Sequence, residues 1–306
     1  MDDALNVTYI TLYGYVDMGI NRYFLFIHML MVFILAITFN LTIVYLIGIN
    51  NNLHEPMYIF IAALLLNSVV TSTTVYPKLL IDILSEKSII SYSACLLQCY
   101  IYYSFSASDF LLLAAMAYDR YVSICKPLQY PTIMSKTTVC IILFLSWLLP
   151  AIQVAVPTLL SANLKLCKFT LKAIFCNNSY YSLYCVTSAA RSLSDMISIF
   201  TMMILPILFI LFTYTRILII SYRSSRNVRT KAAQTCTPHL VVLIGFSSVC
   251  LYDVLIVQLD MGSEIHFIMT LQAFLYYPLF NPVVYGLKMK EIFKHLNKLF
   301  CQTKMI

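Results

Sequence analysis

Seven runs of apolar residues, at about 23–49, 57–84, 92–125, 137–157, 194–222, 232–257 and 265–287, fill most of this chain. Each exceeds the roughly 20 residues with which a helix crosses the hydrocarbon core of a bilayer. A helix can do so because it satisfies its own backbone hydrogen bonds where no water is present. The short alternating segments of a membrane barrel are not seen. Of the 306 residues, 61% are hydrophobic and 11% charged, against about 25% charged in a soluble domain. The expectation is an all-α membrane protein, a seven-transmembrane helix bundle over 23–287. An N-terminal tail (1–22) precedes it, and a short amphipathic helix 8 with a cytoplasmic tail (288–306) follows. Segment 2 is the least uniform, because it carries Asn67 and Pro77.

Charge suggests the orientation. Residues 1–22 begin Met-Asp-Asp and lack a basic stretch followed by an apolar one, so no cleavable signal peptide is expected. With the N-terminus outside, the inner side collects Arg120, Lys126, Lys136, Arg216, Arg223, Arg226, Arg229, Lys231, Lys288, Lys290, Lys294, Lys298 and Lys304. These are thirteen of the twenty basic residues, and the other seven face eight acids. The positive-inside rule favours this topology, with the N-terminus extracellular; the expected location is the plasma membrane, as a multi-pass protein. The net charge of +7 is then explained by membrane lipids and an inner partner, with no need for nucleic acid. The sequons at Asn6-Val7-Thr8 and Asn177-Asn178-Ser179 fall on the outer side and predict glycosylation at Asn6 and Asn177. Asn40-Leu41-Thr42 lies inside helix 1 and is discounted.

Ten cysteines divide by location. Cys99, Cys125, Cys140, Cys236 and Cys250 sit in or beside helices and read as small buried residues. Cys95, Cys167, Cys176 and Cys185 lie on the outer side, where disulfides persist. Four cysteines allow three pairings, and spacing alone does not choose. The loop from about 158 to 193 is long enough to suggest a function, and a staple would make it a lid. Cys301, after a basic amphipathic stretch, is a palmitoylation candidate or a free thiol.

Met116-Ala117-Tyr118-Asp119-Arg120-Tyr121-Val122 closes segment 3 with an adjacent acid and base, a costly placement that usually marks function. Helix 7 contains Asn281-Pro282-Val283-Val284-Tyr285. A proline inside a helix removes one hydrogen bond and permits a kink. Helix 5 adds Pro206 and, eight residues on, Tyr214. Two interior tyrosines near a locked arginine make a bistable element.

These features together resemble a rhodopsin-like G-protein-coupled receptor, and specifically an odorant receptor. The resemblance extends through Pro56-Met57-Tyr58, Pro77-Lys78, Ile124-Cys125-Lys126-Pro127-Leu128, Lys231-Ala232, Thr235-Cys236, Pro238-His239-Leu240 and Pro278-Leu279-Phe280-Asn281-Pro282. Ile59-Phe60-Ile61 with Asn67 looks more like the odorant receptors of fish. The resemblance implies disulfides Cys95–Cys176 and Cys167–Cys185. It implies that Arg120, held by Asp119 at rest, is released when helix 6 swings outward, and that Tyr214 and Tyr285 then turn inward. The opened cavity would admit the C-terminal helix of a stimulatory or olfactory G-protein alpha subunit, with His239 and the Lys231-Ala232 region lining it. The implied output is a rise in cyclic AMP on binding a small odorant, with no cofactor. The chain departs from the family in three places. Ser68 stands where an aspartate is usual, Asp109 where a glutamate is usual, and Phe246-Ser247 where a second aromatic is common.

Helical spacing places the ligand. Tyr102, Ser106, Asp109, Leu113, Met116 and Arg120 follow steps of three and four and share one face of helix 3. Asp109 lies about 16 Å above Arg120 at 1.5 Å per residue, where an acid must be protonated, paired or ion-bound. Above it, Tyr102, Tyr103 and Ser106 would form the floor and wall of a pocket for a small organic ligand. Asp253, with Val254 beside it, lies about 21 Å above His239 on helix 6. It would attract a cationic ligand or pair with Arg191 or Lys172.

After Lys288, Ile292, Phe293, Leu296, Leu299 and Phe300 recur at helical spacing opposite Lys290, Lys294 and Lys298, as in an interfacial helix on an anionic leaflet. A transporter would predict internal repeats, and none is visible. An enzyme would predict paired acids, His-Glu-x-x-His, Gly-x-Ser-x-Gly or a phosphate loop, and the sequence has none of these motifs. The five histidines are scattered singly, so no metal site is expected. Another small-ligand chemosensory receptor is the nearest alternative.

Overall fold

A computed structural model describes residues 8–13, 21–186, 189–222, 226–256, 271 and 278–303. Its seven bundle helices are α1 (Asn21–Ile49), α2 (Pro56–Leu84), α3 (Tyr92–Cys125), α4 (Lys136–Ala162), α5 (Ala189–Tyr222), α6 (Arg226–Ile256) and α7, described over 278–288. The amphipathic α8 (Lys290–Thr303) follows α7 after one intervening residue. The starts of several are legible in local chemistry. Ser91 and Ser135 cap α3 and α4 by accepting the amide protons of Ala94 and Thr138, both at 3.3 Å. Pro56 opens α2, where its missing N–H costs nothing. Pro206 is preceded by a π-helical turn, Phe200–Ile204, which absorbs the hydrogen bond that proline cannot make.

The apolar surface of the bundle faces outward as well as inward. Ile141, Phe144, Leu148 and Ile152 on α4, and Leu208, Leu211 and Phe212 on α5, are exposed. A patch of that extent on a water-soluble protein would be an aggregation site; here it is the lipid-facing surface. With lipid outside, association of the helices depends on close packing and on interhelical hydrogen bonds. α3 is the hub and packs against α2, α4, α5 and α6. One large core, including Phe60, Leu113, Met116, Ile210, Tyr214 and Tyr285, fills the inner half. A second, with Met29, Tyr76 and Phe175, closes the outer space between α1 and α2. Asn40 of α1, fully buried, donates to the carbonyl of Pro278 at 2.8 Å and so ties α1 to α7. α8 returns to α1: the Leu296 and Ile43 methyl carbons lie 3.3 and 3.4 Å from where a side chain on Gly286 would begin.

The outer end is capped by a small sheet. β1 (Tyr9–Leu12) lies between β2 (Ile89–Ser91), antiparallel, and β3 (Thr170–Leu171), parallel. Ile10 and Leu12 point into the protein while Tyr9 is exposed, the period of two expected of a half-buried strand. Beneath them run the disulfides Cys95–Cys176 and Cys167–Cys185, with Cα separations of 5.4 and 4.9 Å. The outer loop is shorter than the 158–193 expected, because α4 continues to Ala162 and α5 begins at Ala189. The early start of α5 brings a polar turn into the helix, and Arg191 within it is buried among loop tyrosines.

Candidate functional site

Two sites at opposite ends of the bundle concern function. The outer one is a cavity of about 460 Å³ between α3, α4, α5 and α6, roofed by the outer loop. Tyr102, Tyr103 and Ser106 line it; Tyr102 and Ser106 stand one helical turn apart on the face the sequence indicates, with Tyr103 beside them. Tyr102 meets Tyr103 and Phe175 edge to face at 5.0 and 5.3 Å. Tyr103 accepts the amide proton of Asn178 at 2.9 Å, which fixes the loop over the cavity. Phe110 and Phe246, 4.5 Å apart, pack together below. Asp253 and Val254 belong to α6, but their side chains lie outside the described residues.

Other wall residues do not emerge from the sequence. Tyr180, Tyr181 and Tyr184 surround the guanidinium of Arg191, whose carbon lies 4.8, 3.8 and 4.8 Å from their ring centres. Asp195, one turn along α5, places a carboxylate oxygen 4.0 Å from Arg191 Nε. Burial pushes the Tyr180 phenol up to about 12 and raises those of Tyr181 and Tyr184 as well, so all three are neutral near pH 7. Arg191 was weighed as a partner for Asp253; among the described side chains its acid is Asp195. The signal available beforehand was the Arg-x-x-x-Asp spacing, which puts both groups on one helix face.

A buried polar relay descends from the cavity. Asp109 is 1% exposed and accepts from Asn67 Nδ2 at 2.8 Å. Asn67 in turn donates to Ser108 at 3.2 Å and accepts from the Trp147 indole at 2.9 Å. This joins α2, α3 and α4, and a mid-membrane acid is met by an amide. Ser68, the neighbour of Asn67, accepts from Asn281 at 3.2 Å. Pro282 is buried beside it. Tyr285 is fully buried, with its hydroxyl 3.5 Å from His239 Nδ1. Tyr214 is also buried, and its hydroxyl has no partner among the described residues.

At the inner end Asp119, with no exposure, holds Arg120 through one carboxylate oxygen, which accepts from Nε at 2.9 Å and from a second guanidinium nitrogen. Its other oxygen accepts from the Tyr130 hydroxyl at 2.8 Å. Tyr130 belongs to the inner loop and was not singled out in the sequence. Tyr121 is half-buried against the inner core. Three buried hydrogen-bonded groups thus lie between the outer cavity and the inner ion pair, and among the described residues none is placed for bond chemistry.

Three expectations need comment. Asn177 was expected to carry glycan, but it is 2% exposed, adjoins the Cys95–Cys176 bridge, and turns its Oδ1 back to accept from Ser179 N at 3.1 Å. Cys140 is exposed on the outer face of α4, where it was expected to be buried. Asn6 lies outside the described residues, as does the side chain of Cys301. No group of three metal-binding side chains occurs among the described residues.

A seven-helix bundle with a roofed outer cavity and an acid–arginine pair at the opposite end has the architecture of a membrane receptor. Residues 29–303 match the family described as olfactory receptor. The chain is 32% identical to olfactory receptor 5F1 of Homo sapiens over 295 residues, covering 95% of this chain and 94% of that one. It is 31% identical to olfactory receptor 2T27 of Homo sapiens over 277 residues, covering 90% and 87%. It is 32% identical to olfactory receptor 1 of Rattus norvegicus over 287 residues, covering 92% and 90%. The chain belongs to the olfactory receptor family: a chemosensory G-protein-coupled receptor of the membrane, and not an enzyme.

Proposed function

We propose that the protein binds a small organic odorant in the outer cavity and activates a stimulatory or olfactory G protein, raising cyclic AMP. The cavity carries this reading: its aromatic and hydroxyl lining suits a compact organic molecule, and it lies above the Asp109 relay. A ligand acts only insofar as it binds one conformation better than another. At rest Arg120 is held by Asp119; on activation α6 moves away, Tyr214 and Tyr285 turn toward the opening, and His239 comes to line the G-protein site. The switch also uses Tyr121, Asn281 and Pro282, with Asp109 as the mid-membrane acid. The protein acts at the plasma membrane with its N-terminus outside; the basic residues toward one end of the sequence-derived topology and both disulfides toward the other support this.

The test is cyclic AMP in cells that express the chain with an olfactory G protein, across small acids, amines and neutral volatiles. Arg120→Ala, matched for surface expression, should abolish any response the wild type gives. A response that survives this substitution overturns the switch.

A further inference from the structure

Two hydroxyls on the cavity wall bear on what the cavity holds. A serine or threonine inside a membrane helix commonly gives its proton to the carbonyl four residues back, an acceptor always within reach. This bundle keeps to that habit: Thr158 donates to Val154 at 2.8 Å, Thr201 to Ile197 at 2.7 Å and Ser146 to Ile142 at 2.8 Å. Ser106 of α3 and Ser198 of α5 do not. Both line the cavity, and neither hydroxyl has a hydrogen-bond partner among the described residues. The Ser198 oxygen is buried as well. A buried hydroxyl with no partner is uncommon in a folded protein and calls for one.

The two serines stand at similar depth on neighbouring helices. Ser106 precedes Arg120, and Ser198 precedes Tyr214, by about 21 and 24 Å at 1.5 Å per residue. Arg120 and Tyr214 lie near enough to interact electrostatically at the inner end, and α3 packs directly on α5. Ser192, the remaining serine on the α5 wall, is exposed toward the outer end.

The fixed charges of the cavity are already matched. Among the described lining residues only Arg191 and Asp195 are charged. Asp195 accepts from the Tyr181 hydroxyl and lies 4.0 Å from Arg191 Nε, and three tyrosine rings enclose the guanidinium. A charged ligand would lose its hydration and find no unengaged counter-charge in its place. An uncharged one has no such penalty.

Two O–H donors that do not bond each other are both satisfied by one oxygen that has two lone pairs and no proton, that of a carbonyl. An alcohol brings a third proton, and one of the three is then left without an acceptor. A hydrocarbon leaves both hydroxyls as they are.

We propose that Ser106 and Ser198 together donate to the oxygen of an uncharged carbonyl ligand, an aldehyde, ketone or ester, whose carbon skeleton packs against Phe110 and Met203. The inference rests on the reading of this cavity as the ligand site, and does not depend on which G protein is engaged.

The test is direct binding to the purified full-length receptor in lipid nanodiscs, by saturation-transfer NMR with the signal of empty nanodiscs subtracted. The probes are 4-phenylbutan-2-one, 4-phenylbutan-2-ol, butylbenzene and 4-phenylbutan-2-amine, which share a skeleton and differ in the polar group. A parallel series built on octan-2-one removes dependence on the ring. The ketone should half-saturate the receptor at a concentration about tenfold or more below the hydrocarbon and the amine, with the alcohol between. Ser106→Ala and Ser198→Ala should each weaken the ketone about fivefold. Hydrocarbon binding should be unchanged in both, which shows that the fold is retained. The infrared carbonyl stretch of the bound ketone supplies a readout that packing alone does not move. It should lie below its value in hexane, and each substitution should bring it part of the way back. Equal binding of ketone and hydrocarbon, tighter binding of the alcohol or amine, or a stretch unmoved by either substitution overturns the proposal and leaves the reading of the cavity standing. Binding of none of the probes at millimolar concentration overturns both.

Discussion

Asp119 accepts from two residues at once, and the second matters for how firmly the first is held. Arg120 engages one oxygen and Tyr130 the other. Burial, and then the Asp119 carboxylate itself, push the Tyr130 phenol up, so it remains a donor across the physiological range. Tyr130→Phe keeps the ring and removes only that donor. A hydrogen bond to a charged group contributes about 1.5–3 kcal/mol, so the substitution should raise basal cyclic AMP several-fold at equal surface expression. Unchanged basal signalling would assign Tyr130 a packing role only. The helical period made Tyr102, Ser106 and Asp109 legible as one face of α3. What it left unread were partners across helices: the Asn67 amide on Asp109 depends on how α2 and α3 are rotated, which neither segment encodes alone. Asn177 shows the converse, since its sequon is a local pattern and its burial is a property of the folded loop.

Elements were legible in proportion to how far local chemistry determines them. Apolar length announced the helices, while the caps of α3 and α4, Ser91 and Ser135, were not singled out beforehand. The β1 strand was not visible, because four residues in a tail acquire strand geometry only from partners about 80 and 160 positions away. The loop between α4 and α5 is closed on itself by the Cys167–Cys185 bond, which spans 18 residues. Opening a loop of this size costs about 3 kcal/mol in the chain-entropy description. The paired change Cys167→Ser with Cys185→Ser should therefore loosen the roof over the cavity. Ligand dose–response curves should shift to higher concentration about tenfold or more, with the maximum response retained. A loss of maximum response at unchanged half-maximal concentration would place the bond outside the ligand's roof.

For the molecule as a whole, the proposed orientation, N-terminus outside, rests on where the basic residues of the sequence collect. An epitope fused before Met1 should be stained by antibody on intact cells, and one after Ile306 only after permeabilisation. In the same cells Asn177→Gln should leave the glycosidase-sensitive mobility shift unchanged, whereas Asn6→Gln should remove it. Staining at both ends of intact cells would contradict the topology, and a shift lost with Asn177→Gln would contradict the buried turn at that residue.

The sheet over the outer cavity also has a consequence in time. Its first strand, Tyr9–Leu12, and its last, Thr170–Leu171, are separated by about 160 residues of synthesis. At roughly 5–20 residues per second the first strand is made on the order of 8–30 s before its parallel partner exists. Through that interval its backbone edges are unpaired, and such edges are templates for wrong pairing. The roof therefore cannot close until α1 to α4 and the first part of the outer loop have been made. A stalled or shortened nascent chain would carry four helices and no closed cavity.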